Sequence, residues 1–293
     1  MSSKIKGFIC AFIAAIKYGF YLPFQKSFIE SGISSNVVVA FMALGAGIVF
    51  LILYLFRNRN KKIIVKEKDS KMNILIFGIV IFDVLGNLFC VYSLGYLNAG
   101  VVSLLSVLEI VTTALIATLF FKEKMSKNTF ISLVIVILAS VILSIDGINQ
   151  FSFSIYIMFV VLAMIFFGTE NNLTGVASKI DIFKIIVIKP LCVGIFALIF
   201  SLLIGDQICD IYTIIKLSVG GIITYGIAVL TYAMATKNIG VNKTTIIYSL
   251  APIISTIASV IIFREALSIT FCISFVLMII GIYFSFVDNK NTM

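Results

Sequence analysis

The chain has 293 residues, of which 61% are hydrophobic and only 12% charged, and its mean hydropathy is +1.19. Soluble domains are about 45–50% apolar and about 25% charged, so 22 basic and 13 acidic residues cannot cover a water-facing surface of this size. An ordinary cytosolic or secreted enzyme is excluded, as is a disordered or fibrous chain, and lipid becomes the solvent for most of the sequence. The net charge of +9 does not indicate a nucleic-acid partner. Seven of the basic residues crowd between Arg57 and Lys71, as in a cytoplasmic loop under the positive-inside rule, where they would also attract anionic membrane lipid.

A spanning helix needs about 20 mostly apolar residues, and ten such runs follow one another. The first, 7–28, passes through Lys17 and is too long for a cleavable leader. It carries Tyr18, Tyr21, Gln25 and Phe28 at helical spacing, with Pro23 placed to kink it. The second is 35–56. The third, 72–94, sets Asp83, Asn87 and Cys90 on one face, and the fourth, 99–121, does the same with Ser106, Glu109 and Thr113. The fifth is 128–145. The sixth, 153–176, aligns Phe167, Glu170 and Thr174, with Asn171 beside them and Gly168 permitting close approach. The seventh, 183–204, contains Lys189. The eighth, 213–235, holds Tyr225 and Tyr232 two turns apart. The ninth, 243–263, aligns Tyr248, Pro252 and Ser255, and the tenth is 269–287.

These runs are too long, and alternate too little, for a β-barrel. The expectation is an all-α membrane protein of ten transmembrane helices. Lysine and arginine concentrate in the even-numbered connections, with Lys26 and Lys216 as exceptions. This bias places both termini in the cytoplasm, and a prokaryotic cytoplasmic membrane is the expected location. There is no histidine, so histidine-based triads and histidine-ligated metal sites are removed. Cys10, Cys90, Cys192, Cys209 and Cys272 show no CxxC spacing and no disulfide framework. No GxxxxGK[ST] loop occurs, which excludes an ATP-driven pump. No catalytic residue, metal or cofactor is expected.

The chain also repeats itself. Tyr92-Ser93-Leu94 with Asn98 and Gly100 matches Tyr232-Ala233-Met234 with Asn238 and Gly240. After a two-residue insertion, Thr113, Phe121-Lys122-Glu123 and Ser126 match Ser255, Phe263-Arg264-Glu265 and Ser268. Tyr18-Gly19 echoes Phe167-Gly168 more weakly. The expected units are 1–147 and 150–293. Five spans is an odd number, so the second unit enters the membrane upside-down relative to the first, as in many secondary transporters.

The paired ends Phe-Lys-Glu-Lys-Met-Ser (121–126) and Phe-Arg-Glu-Ala-Leu-Ser (263–268), each after an Asn-x-Gly turn, resemble the drug/metabolite transporter superfamily. The likeness is to its ten-span EamA-type members, and it covers essentially the whole chain. Tyr18-Gly19 and Phe167-Gly168 stand where that family commonly has Trp-Gly. The resemblance implies a central substrate cavity between the halves and cytoplasmic termini. Glu170 is similar to the sixth-span acid of the superfamily's bacterial choline transporters. This chain has no tryptophan, so a tryptophan-lined cage does not carry over.

An acid or lysine at mid-span costs about 2.5–3.5 kcal/mol on insertion scales, so Lys17, Asp83, Glu109, Glu170 and Lys189 must pair, face the interior or lose charge. Three acids against two lysines leave one acid over, and Glu170 is the favoured one. The candidate substrate-binding residues are Glu170, Tyr18, Phe167, Asn171, Thr174, Tyr21 and Tyr248, since a carboxylate among aromatic faces suits an organic ammonium. Asp83 and Glu109 are the candidates for proton or ion coupling. The expected function is secondary transport of a small polar metabolite (an amine, a quaternary ammonium such as choline, or an amino acid) by alternating access. The alternatives are a neutral or zwitterionic solute, or a sensor without flux. The partners are that substrate and membrane lipid; oligomeric state is open.

Overall fold

The computed structural model describes residues 3–58, 70–121, 127–146, 155–178, 182–239, 244, 247–248, 250–264 and 268–288. The described residues are all-helical apart from turns. Helix is what an apolar chain in lipid must adopt, because no water is present to satisfy free backbone groups. The first span is split into α1 (Ser3–Gly19) and α2 (Tyr21–Glu30). Then come α3 (Ser35–Asn58), α4 (Ser70–Leu94), α5 (Ala99–Leu105), α6 (Leu108–Phe121), α7 (Lys127–Asp146), α8 (Ile155–Ser178) and α9 (Ile182–Leu203). The eighth span is α10 (Ile211–Gly221), a π-helical turn (Ile222–Gly226) and α11 (Ile227–Ile239). It is followed by α12 (Leu250–Phe263) and α13 (Ile269–Asp288). Seven segments are long and apolar enough to cross a membrane, and three more, Phe130–Ala139, Leu250–Phe263 and Ile269–Gly281, are shorter apolar helices.

Size sorts the side chains. On α1, Ala11, Ala14 and Ala15 are buried, while Ile9, Phe12 and Ile16 face outward. Large residues facing out and small residues facing in is how helices associate when the solvent is itself apolar. The helix break after Gly19 has a local cause. Pro23 has no N–H to donate to the Gly19 carbonyl four residues back, and its ring crowds that carbonyl. The amide of Phe20 turns instead to Lys17 O at 3.3 Å.

The pairings between helices form a pattern. α1 packs on α11, and α4 packs on α8. α6 packs on α8, and α1 packs on α12; α3 packs on α10, and α4 on α9. α3 with α9, α5 with α12 and α7 with α13 complete the main set. Exchanging each span with the one five places along maps these contacts onto one another. Two glycines make the correspondence atomic. A Cβ added to Gly19 would lie 2.8 Å from Ile254 Cβ, and one added to Gly168 would lie 2.8 Å from the Thr113 amide and 2.9 Å from the Thr112 carbonyl carbon. Thr112 and Ile254 are 142 residues apart, the offset that relates Phe121 to Phe263. The Tyr18-Gly19 and Phe167-Gly168 pairs therefore seat at matching places.

At one end of the bundle Lys26 is buried, donating to Leu94 O at 2.7 Å and Leu97 O at 3.2 Å, with Glu30 at 3.7 Å. Its departure from the charge bias is explained: it satisfies carbonyls past the end of α4 rather than facing the surface. Near the same residues of α2 and α3, Asp206 accepts from Ser34 Oγ at 2.6 Å and Asn36 Nδ2 at 3.1 Å. Asp210 caps α10 through the Thr213 amide and hydroxyl, which hold its carboxyl below the usual carboxylate range. Lys216 lies 4.1 Å from the Tyr212 ring centre. The basic stretch 59–69, and residues 122–126, 240–243 and 265–267, which carry much of the loop charge and repeat signal, lie outside the described residues.

The close seat of Gly168 predicts a graded response. Gly168→Ala pushes a methyl into the α6 backbone and lowers thermal stability in detergent by about 1–3 kcal/mol. Gly78→Ala, whose Cβ meets only the tip of Leu173 at 3.0 Å, costs much less.

Candidate functional site

The polar residues of the spans converge at the middle of the bundle on one cavity with two lobes. The charged lobe, about 560 Å³ with its open mouth, is lined by Asp83, Glu109, Glu170 and Lys189 opposite Tyr18, Tyr225, Tyr232 and Tyr248. The second lobe, about 430 Å³ on the same measure, is bounded by Leu22, Ile110, Ala251 and Pro252, with the hydroxyls of Ser106, Thr113 and Ser255. Tyr18, Glu109, Asn171 and Tyr248 belong to both and form the boundary between them.

Lys189, one residue before Pro190 in α9, organises the charges. Its Nζ lies 3.2 Å from Glu170 Oε2 and 3.4 Å from Asp83 Oδ1. Asp83 is held further by the Tyr225 hydroxyl at 3.0 Å and by Asn87 Nδ2 at 3.1 Å. Glu170 also accepts from the hydroxyl of Thr174, one turn along α8. The acid left over is therefore Glu109 and not Glu170, contrary to the expectation from sequence. Glu109 accepts from Asn171 Nδ2 at 2.6 Å and makes no ion pair with a described lysine or arginine. It sits in the first turn of α6, where a carboxylate meets the positive end of the helix dipole. Lys17 is half-buried and forms no ion pair with a described acid.

The aromatic wall is a run of five tyrosines from the first, eighth and ninth spans. Tyr225 stacks on Tyr21 (ring centres 5.3 Å apart), Tyr21 on Tyr18 (5.4 Å), Tyr18 approaches Tyr248 (5.3 Å) and Tyr248 meets Tyr232 (4.9 Å). Tyr21 is fully buried within this run and bonds Asn87 Oδ1 at 3.3 Å, so it backs the cavity rather than lining either lobe. Gln25, farther along the same stripe, is buried outside both lobes.

Glu170, Tyr18, Phe167, Asn171, Thr174, Tyr248, Asp83 and Glu109, all expected from sequence, share the cavity lining. Tyr225 and Tyr232 were legible as two aromatics seven residues apart on one helix face, yet were not placed in the site; Lys189, which the sequence left to pair with an acid or to face the interior, does both. Tyr225 reaches Asp83 from inside the π-helical turn. A π turn re-aims side chains and recurs at functional positions, and nothing in the sequence announces it. The break between α5 and α6, which puts Glu109 at a helix start, has neither proline nor glycine to mark it.

Known proteins resemble this chain in sequence and in fold. The EamA-like transporter family model matches residues 5–145 and again 154–287. An uncharacterized transporter of Methanothermobacter thermautotrophicus is 24% identical over 243 residues, covering 80% of this chain and 70% of the relative. A solved crystal structure covers 96% of this chain and 97% of its own at TM-score 0.70 and 14% identity, a likeness of fold.

The bridge makes a stability prediction. Lys189→Met leaves two buried carboxylates facing each other without a cation and costs about 3–5 kcal/mol. Adding Asp83→Asn and Glu170→Gln to that variant recovers most of the loss, as read by thermal unfolding in detergent.

Proposed function

The chain belongs to the EamA-like transporter family, and from that premise we propose that it is a secondary carrier of small organic cations, amines or quaternary ammonium compounds such as choline, working by alternating access. The observation that carries the reading is the cavity itself, where two carboxylates share one lysine, a third carboxylate stands outside that bridge, and tyrosines line the same space. Lys189 balances one of its two carboxylate partners, so a negative field remains. A cation relieves that field and gains attraction from the tyrosine faces, worth about 0.5–2 kcal/mol each.

The two-unit architecture supports alternating access. The family model matches twice, the helix pairings interchange between halves, and Gly19 and Gly168 pack against residues related by the repeat offset. In this reading 1–147 and 150–293 are inverted five-helix units that rock about the midplane cavity. Both termini face the cytoplasm, and the membrane is the cytoplasmic membrane of a prokaryote.

Proton coupling falls to Glu109. Asp83 is held by Lys189, Tyr225 and Asn87, and Glu170 by Lys189 and Thr174, so neither can change charge without breaking the bridge. Glu109 is bonded by one neutral amide and opens on both lobes. A proton and an ammonium group compete for it, which makes the carrier an exchanger of the two.

In proteoliposomes, a proton gradient drives radiolabelled choline against its concentration gradient. Glu109→Gln cuts this flux at least tenfold, whereas a neutral solute is unaffected. Flux in Glu109→Gln equal to wild type removes the assignment, and saturable choline binding without flux favours a sensor.

A further inference from the structure

The two lobes differ in chemistry, and the difference says which end of a ligand each takes. The second lobe meets charge only at its rim, where Glu109 stands. Its walls are otherwise carbon, from Leu22, Ile110, Ala251 and Pro252. Two of its hydroxyls, those of Ser106 and Thr113, look polar in sequence, but their protons are committed. Ser106 Oγ donates to Ser103 O at 2.6 Å, and Thr113 Oγ1 donates to Glu109 O at 2.7 Å. Ser255 shares a 2.7 Å hydrogen bond with the fully buried Ser103. A hydrogen-bond acceptor on a ligand arm entering this lobe would leave water and find the Ser106 and Thr113 protons already spoken for, which costs free energy. An apolar arm loses nothing and gains by burial.

The charged lobe has the opposite preference. An alkyl group placed there would displace water from Asp83, Glu170 and Lys189 without replacing its hydrogen bonds. We infer that the second lobe is a tail subsite, which receives a short alkyl arm of a cation whose ammonium group rests against Glu109. The inference depends on the cation reading above and narrows it: the preferred substrates are amines or quaternary ammonium compounds with one apolar substituent, rather than symmetric small cations. Ile110, the residue after Glu109, is a large apolar side chain of this lining, so a change in its size changes the room for the arm.

The test is a binding series by titration calorimetry on the purified protein in nanodiscs, using tetramethylammonium and then ethyl-, propyl- and butyltrimethylammonium. Affinity rises about fourfold with each added methylene until the lobe is full, the factor that corresponds to burying one CH₂ group. Ile110→Phe shortens the subsite and flattens the rise. Ile110→Ala deepens it, so the rise continues to longer arms. A wild-type series that is flat, or a slope identical in the wild type and both variants, overturns the tail assignment and leaves the cation reading standing. Failure of the wild type to bind any of the four compounds, tetramethylammonium included, overturns the cation reading and the tail subsite together.

Discussion

Lys189 sits between Asp83 and Glu170, and most of the interior is arranged around that one ammonium group. It comes from α9, while its partners come from α4 and α8, so three helices are fixed to each other at mid-span. An isolated charge at this depth would be expelled or neutralised. Two carboxylates on one lysine avoid that fate, and both accept further hydrogen bonds from Tyr225, Asn87 and Thr174. The bridge also decides the chemistry of what it does not hold. With the lysine engaged, Glu109 is the carboxylate that stays available to a proton or a ligand.

Backbone irregularity gathers at the same level. The first span breaks after Gly19, beside Tyr18. The fourth breaks between α5 and α6, just before Glu109, and the eighth winds through a π turn that contains Tyr225. Non-helical backbone is tolerated at membrane depth only where protein or a cavity shelters it. All three breaks border the cavity, so each irregularity aims a functional side chain rather than weakening a lipid-facing wall. Under the proposed alternating access, they are the places where the spans would bend.

How much of this could be read from the sequence depended on how local the cause was. Ten apolar runs follow from composition, and the break in the first span follows from Pro23, whose effect reaches four residues back. The cavity acids were legible because ionisable residues are costly in lipid and must face inward. Which acid pairs with which lysine was not legible, since that depends on helix rotations set by packing such as α4 against α8 and α9. Glu170 was favoured as the unpaired acid on the strength of its aromatic neighbours, yet Lys189 reaches it from another helix. The roles of Tyr225 and of the α5–α6 break were hidden for the same reason: no residue type at those places forces the backbone to depart from α-helix.

The two walls of the cavity divide the chemistry of the proposed cation site between the two proposed halves. The charged residues stand on α4, α6, α8 and α9, the third, fourth, sixth and seventh spans. The tyrosines stand in the first, eighth and ninth spans. Under the proposed exchange of halves, the third, fourth and sixth spans become the eighth, ninth and first. The operation that relates the two scaffolds therefore carries the carboxylate wall onto the aromatic wall: Glu170, 149 residues after Tyr21, is its counterpart in the register that pairs Gly19 with Gly168. Identical walls would have placed acids on both sides and multiplied the cost of buried like charge. Dividing the work leaves one wall to supply charge and the other to supply polarizable faces at no electrostatic penalty. In the proposed transport cycle a cation held between them would touch both halves at once, so a rotation of either half would change its surroundings from both sides.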